Sequence, residues 1–424
     1  MAITGKIAEV MFEEILDTYE PEDQMLDLVS FKEPNGANMQ NGGNTLWRPV
    51  EQHRPVITGW DLTGQEQEII QETYPAVLGT PKNDLISQCA KDMRDMQFWK
   101  DAGKTSARQQ VTELNKSIAS AIATQGSMFY RSNVASGYDF VGEAQTIMNE
   151  RQGSKTLRNF IFNDRDNLKF AKDLAARQTV QGRPEKVWST GQIGQNIAEF
   201  DIYTASYLPT IVGGADPATT VTGNQSFAPQ GGTVDATTHV VTNVDYRTAT
   251  IPVAASAAYN VGDKITFANG GTTVKAVGLA DKNDSGQAMT FTIVEKPSGT
   301  SIRIFPKPIA FDDPALSTLQ KQYANINTLI LNAATVNRVN TDALKKTNLF
   351  FDKDAVEVFG GTIPAELFNQ FDGMQVISQK MKNGLSMYMI YDANMINMNF
   401  RFRVFTWYAV TIKDPSRCGV AVTF

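Results

Sequence analysis

The run from Asp95 to Phe129 constrains this chain most. Its apolar positions, Phe98, Ala102, Val111, Leu114, Ile118, Ala121 and Ile122, recur in steps of mostly three, four or seven. That is the helical period, with one apolar stripe. Lys100, Lys104, Arg108, Glu113 and Lys116 fall largely off the stripe. No proline interrupts it, Gly103 is the weak interior position and Gly126 is the stop. At about 1.5 Å of rise per residue, such a helix is longer than a small domain is wide. It reads as a beam that joins layers or, taken alone, as an ordinary long core helix.

A chain of 424 residues exceeds one typical core, so two or three domains are expected. Hydrophobic content of 42% and charged content of 20% suit a soluble globular protein. A formal net charge of -6 argues against a general nucleic-acid binder, which needs excess Lys and Arg against phosphate. Cys89 and Cys418 make no disulfide framework and read as free thiols in a reducing compartment. No apolar run reaches bilayer-spanning length, and the N-terminus lacks the apolar core of a signal peptide. Folding in a cytoplasm is the expectation.

Residues 6–20 place Ile7, Val10, Met11, Ile15 and Leu16 at helical spacing among Glu9, Glu13, Glu14, Asp17 and Glu20. A helix this short and acidic needs a surface to lie on. Its charge suits a solvated face or a docking arm for a basic partner. Residues 33–45 read as a Pro, Gly and Asn loop. Residues 47–78 form a long extended excursion with strands at both ends; Trp47 and Trp60 would anchor its base or lie against a neighbouring subunit. From Ser132 to Gly213 helices (Phe140–Arg151, Asn167–Arg177) alternate with strands (Leu157–Phe162, Phe200–Leu208), which is α+β or α/β material.

The texture changes near Gly213. Short alternating runs at Thr238–Val244, Thr248–Val253, Lys264–Phe267, Met289–Val294 and Ser301–Phe305 are separated by turn signals. They predict a small antiparallel barrel or sandwich of roughly 100 residues. The helical period resumes through Ile326, Leu329, Leu331, Ala334 and Val336, and further strands follow at residues 349–359, 387–390 and 400–411. The β module is thus an insertion in an α+β host.

Catalytic chemistry finds little purchase. The only histidines are His53, in the excursion, and His239, in a polar strand, and neither has a triad setting. Ile211-Val-Gly-Gly214 has the look of a trypsin-like N-terminus but lacks the companion segments of that family. Asp281-Lys-Asn-Asp-Ser-Gly286 begins like a calcium loop, yet its twelfth position is Thr292 where a Glu is needed. Gly191-Gln-Ile-Gly194 lacks the third glycine and the Lys-Ser of a phosphate cradle. Two Cys and two His give no metal ligand set, and no cofactor is implied.

The segment Gly43-Asn-Thr-Leu-Trp-Arg-Pro-Val-Glu-Gln52 through Gly59-Trp-Asp-Leu-Thr63 resembles the coat proteins of P22-like short-tailed phages. Gln225-Ser-Phe-Ala-Pro229, Val261-Gly-Asp-Lys-Ile-Thr-Phe267, Pro306-Lys-Pro-Ile-Ala-Phe-Asp-Asp313 and Gln322-Tyr-Ala-Asn-Ile-Asn-Thr328 are similar to the same family, in order along the chain. The resemblance implies an α+β Hong Kong 97-type capsid fold with an inserted antiparallel β-barrel domain. In those terms the expected parts are an N-terminal arm (1–32), a peripheral domain with an E-loop (33–130), an axial and peripheral core (131–220 and 341–424) and the insertion (221–340). The spine helix falls at about 95–129 and the E-loop at about 47–78.

The implied function is assembly of a virion shell in the bacterial cytoplasm. Hexamers and pentamers form first on a scaffolding protein, with a portal protein at one vertex, and later enclose double-stranded DNA contacted non-specifically. No membrane and no enzymatic activity are implied. The family's scaffold docks its basic end on acidic residues of the coat's arm, and Glu13 and Glu14 occupy matching positions. The family's inter-capsomer loop falls at about Gly231–Val244 and carries one carboxylate, Asp235, where relatives are more acidic. A competing reading is an adhesive or carbohydrate-binding β module on an α+β support.

Overall fold

The computed structural model describes residues 3–22, 24–33, 45–50, 59–61, 63, 72–89, 95–132, 137–151, 153, 155–177, 194–234, 236–239, 241–242, 244–341, 345–363, 375–394 and 399–423. His53, most of the excursion, Gly191 and Asp235 lie outside them. The chain forms two contact units. One is Met1–Leu46, Ala76–Ile118 and Glu357–Thr411; the other is Trp47–Pro75, Ala119–Val356 and Ile412–Phe424.

In the first unit, helix α1 (Ile3–Glu22) buries Ile7, Ala8, Met11, Phe12, Ile15 and Tyr19. Each large apolar side chain so buried contributes roughly 1.5–3 kcal/mol, which is how so short an acidic helix is held. It crosses helix α2 (Met96–Gln125) at Gly103, where an added Cβ would sit 2.9 Å from the Met11 carbonyl oxygen and 3.4 Å from Ile15 Cγ1. The glycine that weakens α2 locally is what lets two backbones approach.

The 30 residues of α2 make a rod about 45 Å long. Its buried stripe runs Trp99, Gly103, Ala107, Val111, Leu114, Ile118 and Ile122. The expected first stripe residue, Phe98, is 41% exposed instead. Its neighbour Trp99 takes the inward position, its ring 4.9 Å from that of Phe402 and tilted by 55°. Beside α2, four antiparallel strands run in the order Gln375–Lys380, Ser386–Asn394, Asn399–Thr406, Lys82–Cys89. Within the buried seam, Gln110 Nε2 donates to the Lys82 carbonyl and Gln110 Oε1 accepts from Thr406 Oγ1 at 3.0 Å.

The second unit holds a six-stranded mixed sheet in the order Met128–Ser132, Cys418–Thr423, Asn348–Asp352, Arg158–Phe162, Phe200–Thr204, Gly194–Ile197. Helices α3 (Tyr138–Glu150) and α4 (Asp164–Arg177) accompany it. Phe140, Phe160, Phe162, Phe170, Phe200 and Phe350 share its core. Asn163 starts α4, its Oδ1 accepting the amides of Arg165 and Asp166. Asn348 and Thr423 donate to the Asp166 carboxylate, so the helix start is tied to two further strands.

The insert grows from this unit through a braced neck. Thr210–Ile211 pairs antiparallel with Lys345–Lys346, and the Gly214 amide donates to the Asn340 carbonyl. Arg338 forms a buried ion pair with Asp263 (Nη2 to Oδ2, 2.7 Å) and donates through Nη1 to the Ala215 carbonyl. Entry and exit are therefore fastened together.

The insert's sheet follows the order Thr219–Thr220, Thr335–Arg338, Lys264–Asn269, Phe291–Ser298, Ser301–Phe305, Ala249–Pro252, with Thr272–Thr273 paired to the third. Ile251, Ile265, Phe267, Phe291, Ile293, Ile302, Ile304 and Val336 fill its core. The expected barrel is not a closed sheet. Its end strands share no ladder, only the bridge Val221–Val253 flanked by bonds from the Thr222 amide to Pro252 and the Ala254 amide to Thr220.

The helical period expected over residues 326–336 does not fold as a helix. Only Thr318–Lys321 is helical, and Thr335–Arg338 is a strand of the sheet. Asparagine side chains hold the intervening backbone: Asn325 Oδ1 accepts from the Ile309 amide and Asn327 Oδ1 from the Lys275 amide. The amides of Asn325 and Ile326 donate in turn to the Ile309 carbonyl and that of Asn327 to the Lys275 carbonyl, so these donors are spent on other segments and not on a helix.

Candidate assembly surfaces

On α1 the inward stripe leaves the carboxylates along one edge. Glu13 is exposed. Glu14 is half-buried and pairs with Lys104 of α2 at 3.4 Å. The two residues singled out for a basic partner thus differ: Glu13 faces solvent, whereas Glu14 already has a cation and would have to exchange it.

Strands Thr45–Pro49 and Thr73–Val77 pair at the root of the excursion, and the Val50 amide donates to the Glu72 carbonyl at 2.9 Å. Trp47 is 36% exposed on the first strand. Trp60 is fully exposed.

The root meets the insert through charge. Glu72 Oε1 lies 3.3 Å from Lys307 Nζ, and both side chains are nearly buried. Lys307 Nζ also donates to the Ala228 carbonyl at 3.1 Å. Burial pushes the Glu72 carboxyl up, with Lys307 opposing, and burial pushes the Lys307 ammonium down, with Glu72 opposing. Desolvation outruns attraction on both sides of this pair.

Next to it, the Arg247 guanidinium sits 5.0 Å from the centre of the Tyr74 ring, is gripped by Asp245 through two 3.0 Å bonds, and donates to the Ile412 carbonyl. These groups border a cavity of about 150 Å³ lined also by Val50, Lys282, Met289, Gln322 and Asp414. No histidine or cysteine lines it. Within the lining Glu72 is paired with Lys307, whereas Lys282 Nζ donates to the Ala324 carbonyl at 3.3 Å.

Lys264 is a further buried cation. Its Nζ donates to the Gly126 carbonyl at 2.8 Å and to Thr292 Oγ1 at 2.6 Å. Gly126 follows the last turn of α2, so the ammonium caps a helix C-terminus, where positive charge is favoured. Burial nevertheless pushes its pKa down to about 7. The same junction buries Cys418, whose thiol burial pushes up; Cys89 is exposed and both are free.

The loop at 231–244 contains the short hairpin of Thr233–Val234 with Val241–Thr242. Asp235 is outside the described residues, and His239 is exposed at positive φ. Asp281 Oδ1 accepts the Asn283 amide and Asp284 pairs with Lys275, so the calcium-like segment is a hairpin approach held by its own carboxylates.

The family model described as P22 coat protein, gene protein 5, matches residues 1–423. This chain belongs to the P22 coat protein family. It is therefore a phage capsid shell protein, and its α+β frame contains a helix of 30 residues, α2, and an N-terminal helix of 20, α1. Among solved structures, the chain is similar to the capsid of the cyanophage P-SCSP1u: 10% identity, 95% of this chain and 88% of the other covered, TM-score 0.44. It is similar to the capsid of Ralstonia phage GP4 at 8% identity, 93% and 86% coverage and TM-score 0.42. A virus-like particle from Pyrococcus furiosus matches at 8% identity, 97% and 98% coverage and TM-score 0.40. Likenesses this faint bear no weight, and the assignment rests on the family match. No helix among the described residues is long and apolar enough to cross a membrane.

Sequence reasoning missed Glu72, Lys307, Arg247 and Lys264. Each sits in an ordinary polar context, and its partner lies far along the chain. Lys264 alone carried a faint signal, a lysine inside an apolar strand.

Proposed function

We propose that this coat protein closes into hexamers and pentamers of an icosahedral shell, built first on a scaffolding protein in the host cytoplasm and maturing as double-stranded DNA is packaged through a portal vertex. The observation that carries this reading is the family match along the whole chain, and the α1–α2 crossing supports it by presenting an acidic edge on a rigid rod. Glu13 and Glu14 receive the basic end of the scaffold, Glu14 by giving up Lys104. Trp47 and Trp60 brace the E-loop against a neighbouring subunit. Asp235 contributes an inter-capsomer contact, and the chain acts by tiling, without catalysis.

Co-expression with the cognate scaffolding protein, followed by electron microscopy, tests the reading. Closed shells with the scaffold and aberrant or no particles without it are expected. Identical outcomes with and without the scaffold would overturn the scaffold-directed part.

A further inference from the structure

We infer that the insert fixes the pose of the E-loop's root, with Lys307 and Arg247 as positioning residues for shell assembly. The inference rests on residues 47–78 being the E-loop of a shell subunit.

Three segments meet at these two cations. Glu72 and Tyr74 come from the returning end of the excursion, Asp245, Tyr246, Arg247 and Lys307 from the insert, and Ile412 from the C-terminal return. Lys307 binds the Glu72 carboxylate while its ammonium lies 5.6 Å from the centre of the Tyr246 ring. The Lys307 amide donates to the Arg247 carbonyl at 2.6 Å, so the two cations are mounted on bonded backbone. Arg247 covers Tyr74 and ties it to Ile412. The carboxylate of Glu72 faces Lys307, the carboxylate of Asp245 and the Gln230 amide.

Stability does not account for this pair. Burial works against the charged form of both partners, and an apolar pair of similar volume is often as stable or more so. What an ion pair adds over apolar packing is a fixed register. Here it fixes the stem formed by Thr45–Pro49 and Thr73–Val77.

Hydrogen exchange on the unassembled full-length chain tests this directly. In Lys307→Met, the amides of Val50, Thr73, Tyr74, Ala76 and Val77 should exchange about tenfold faster, while strands Lys264–Asn269 and Ser301–Phe305 keep their protection. Lys307→Arg should restore the stem. The double variant Glu72→Leu with Lys307→Met should keep the thermal midpoint of the free chain yet lose about tenfold in shell yield with scaffold. Unchanged exchange at the stem would overturn the inference whether or not the chain assembles. So would stem and insert losing protection together, which marks a purely structural role. Wild-type chain that makes no shells would instead count against the shell reading, and the exchange result would still decide this one.

Discussion

At the scale of single residues, Lys264 has a protonation state that the fold controls. Its pKa falls from 10.5 to about 7 because its ammonium is fully buried. Between those values the unfolded chain holds a proton that the folded chain has released, so stability rises with pH across that window. Lys264→Met removes the slope. Urea midpoints of the wild type should climb relative to the variant as pH goes from 7 to about 10, and parallel curves would contradict the account. Glu13 and Asp235 give the opposite kind of test, because the proposed function has them act between molecules. Glu13→Lys should abolish scaffold-dependent assembly while leaving the free chain's unfolding midpoint in place; normal procapsid yield would contradict the docking role. Asp235→Ala should have a mild effect, since an exposed pair is worth only about 0–1 kcal/mol per copy, and a complete failure to assemble would be inconsistent with that.

At the scale of elements, α2 was legible from its period because a buried stripe must repeat every turn. Its register was half a step off at one end. Phe98 and Trp99 are both large and apolar, and only the packing of Phe402 decides which turns inward. Gly103 looked like a weakness and is a contact. Gly103→Ala gains about 0.5–1 kcal/mol of helix propensity but forces a methyl against the Met11 carbonyl, and overpacking costs about 1–3 kcal/mol. The net expectation is destabilisation by about 1 kcal/mol, read in urea unfolding, with Gly103→Val worse; a stabilised alanine variant would refute the crossing. The period at 326–336 misled because apolar residues of a twisted strand and a bridged loop fell at helical spacing by coincidence, and no local signal shows asparagines capturing the amides of Ile309 and Lys275. The insert's short strands were legible from alternation and turn residues. Its lack of a closing ladder was not, because closure depends on strand lengths at the two edges.

At the scale of the whole molecule, the family and the general parts list could be read from dispersed motifs, whereas the joints could not. Glu72 with Lys307, Arg338 with Asp263 and Lys264 with the end of α2 join residues that only the fold brings together. The braced neck, with Gly214 bonded to Asn340, fastens the ends of an insert whose local hairpins are Phe291–Ser298 with Ser301–Phe305 and Lys264–Asn269 with Thr272–Thr273, while Thr335–Arg338 pairs back to Thr219–Thr220 from the opposite end. The low closure cost of those hairpins should let the insert nucleate early in folding. Pulse-labelled hydrogen exchange should find residues 222–320 among the first protected, and their being last would contradict this. The central claim, that these surfaces exist to tile against copies of themselves, is tested most directly by electron cryomicroscopy of the chain purified with its scaffold. The account requires closed shells of sixfold and fivefold capsomers. A chain that stays monomeric at high concentration with every assembly partner supplied would contradict it.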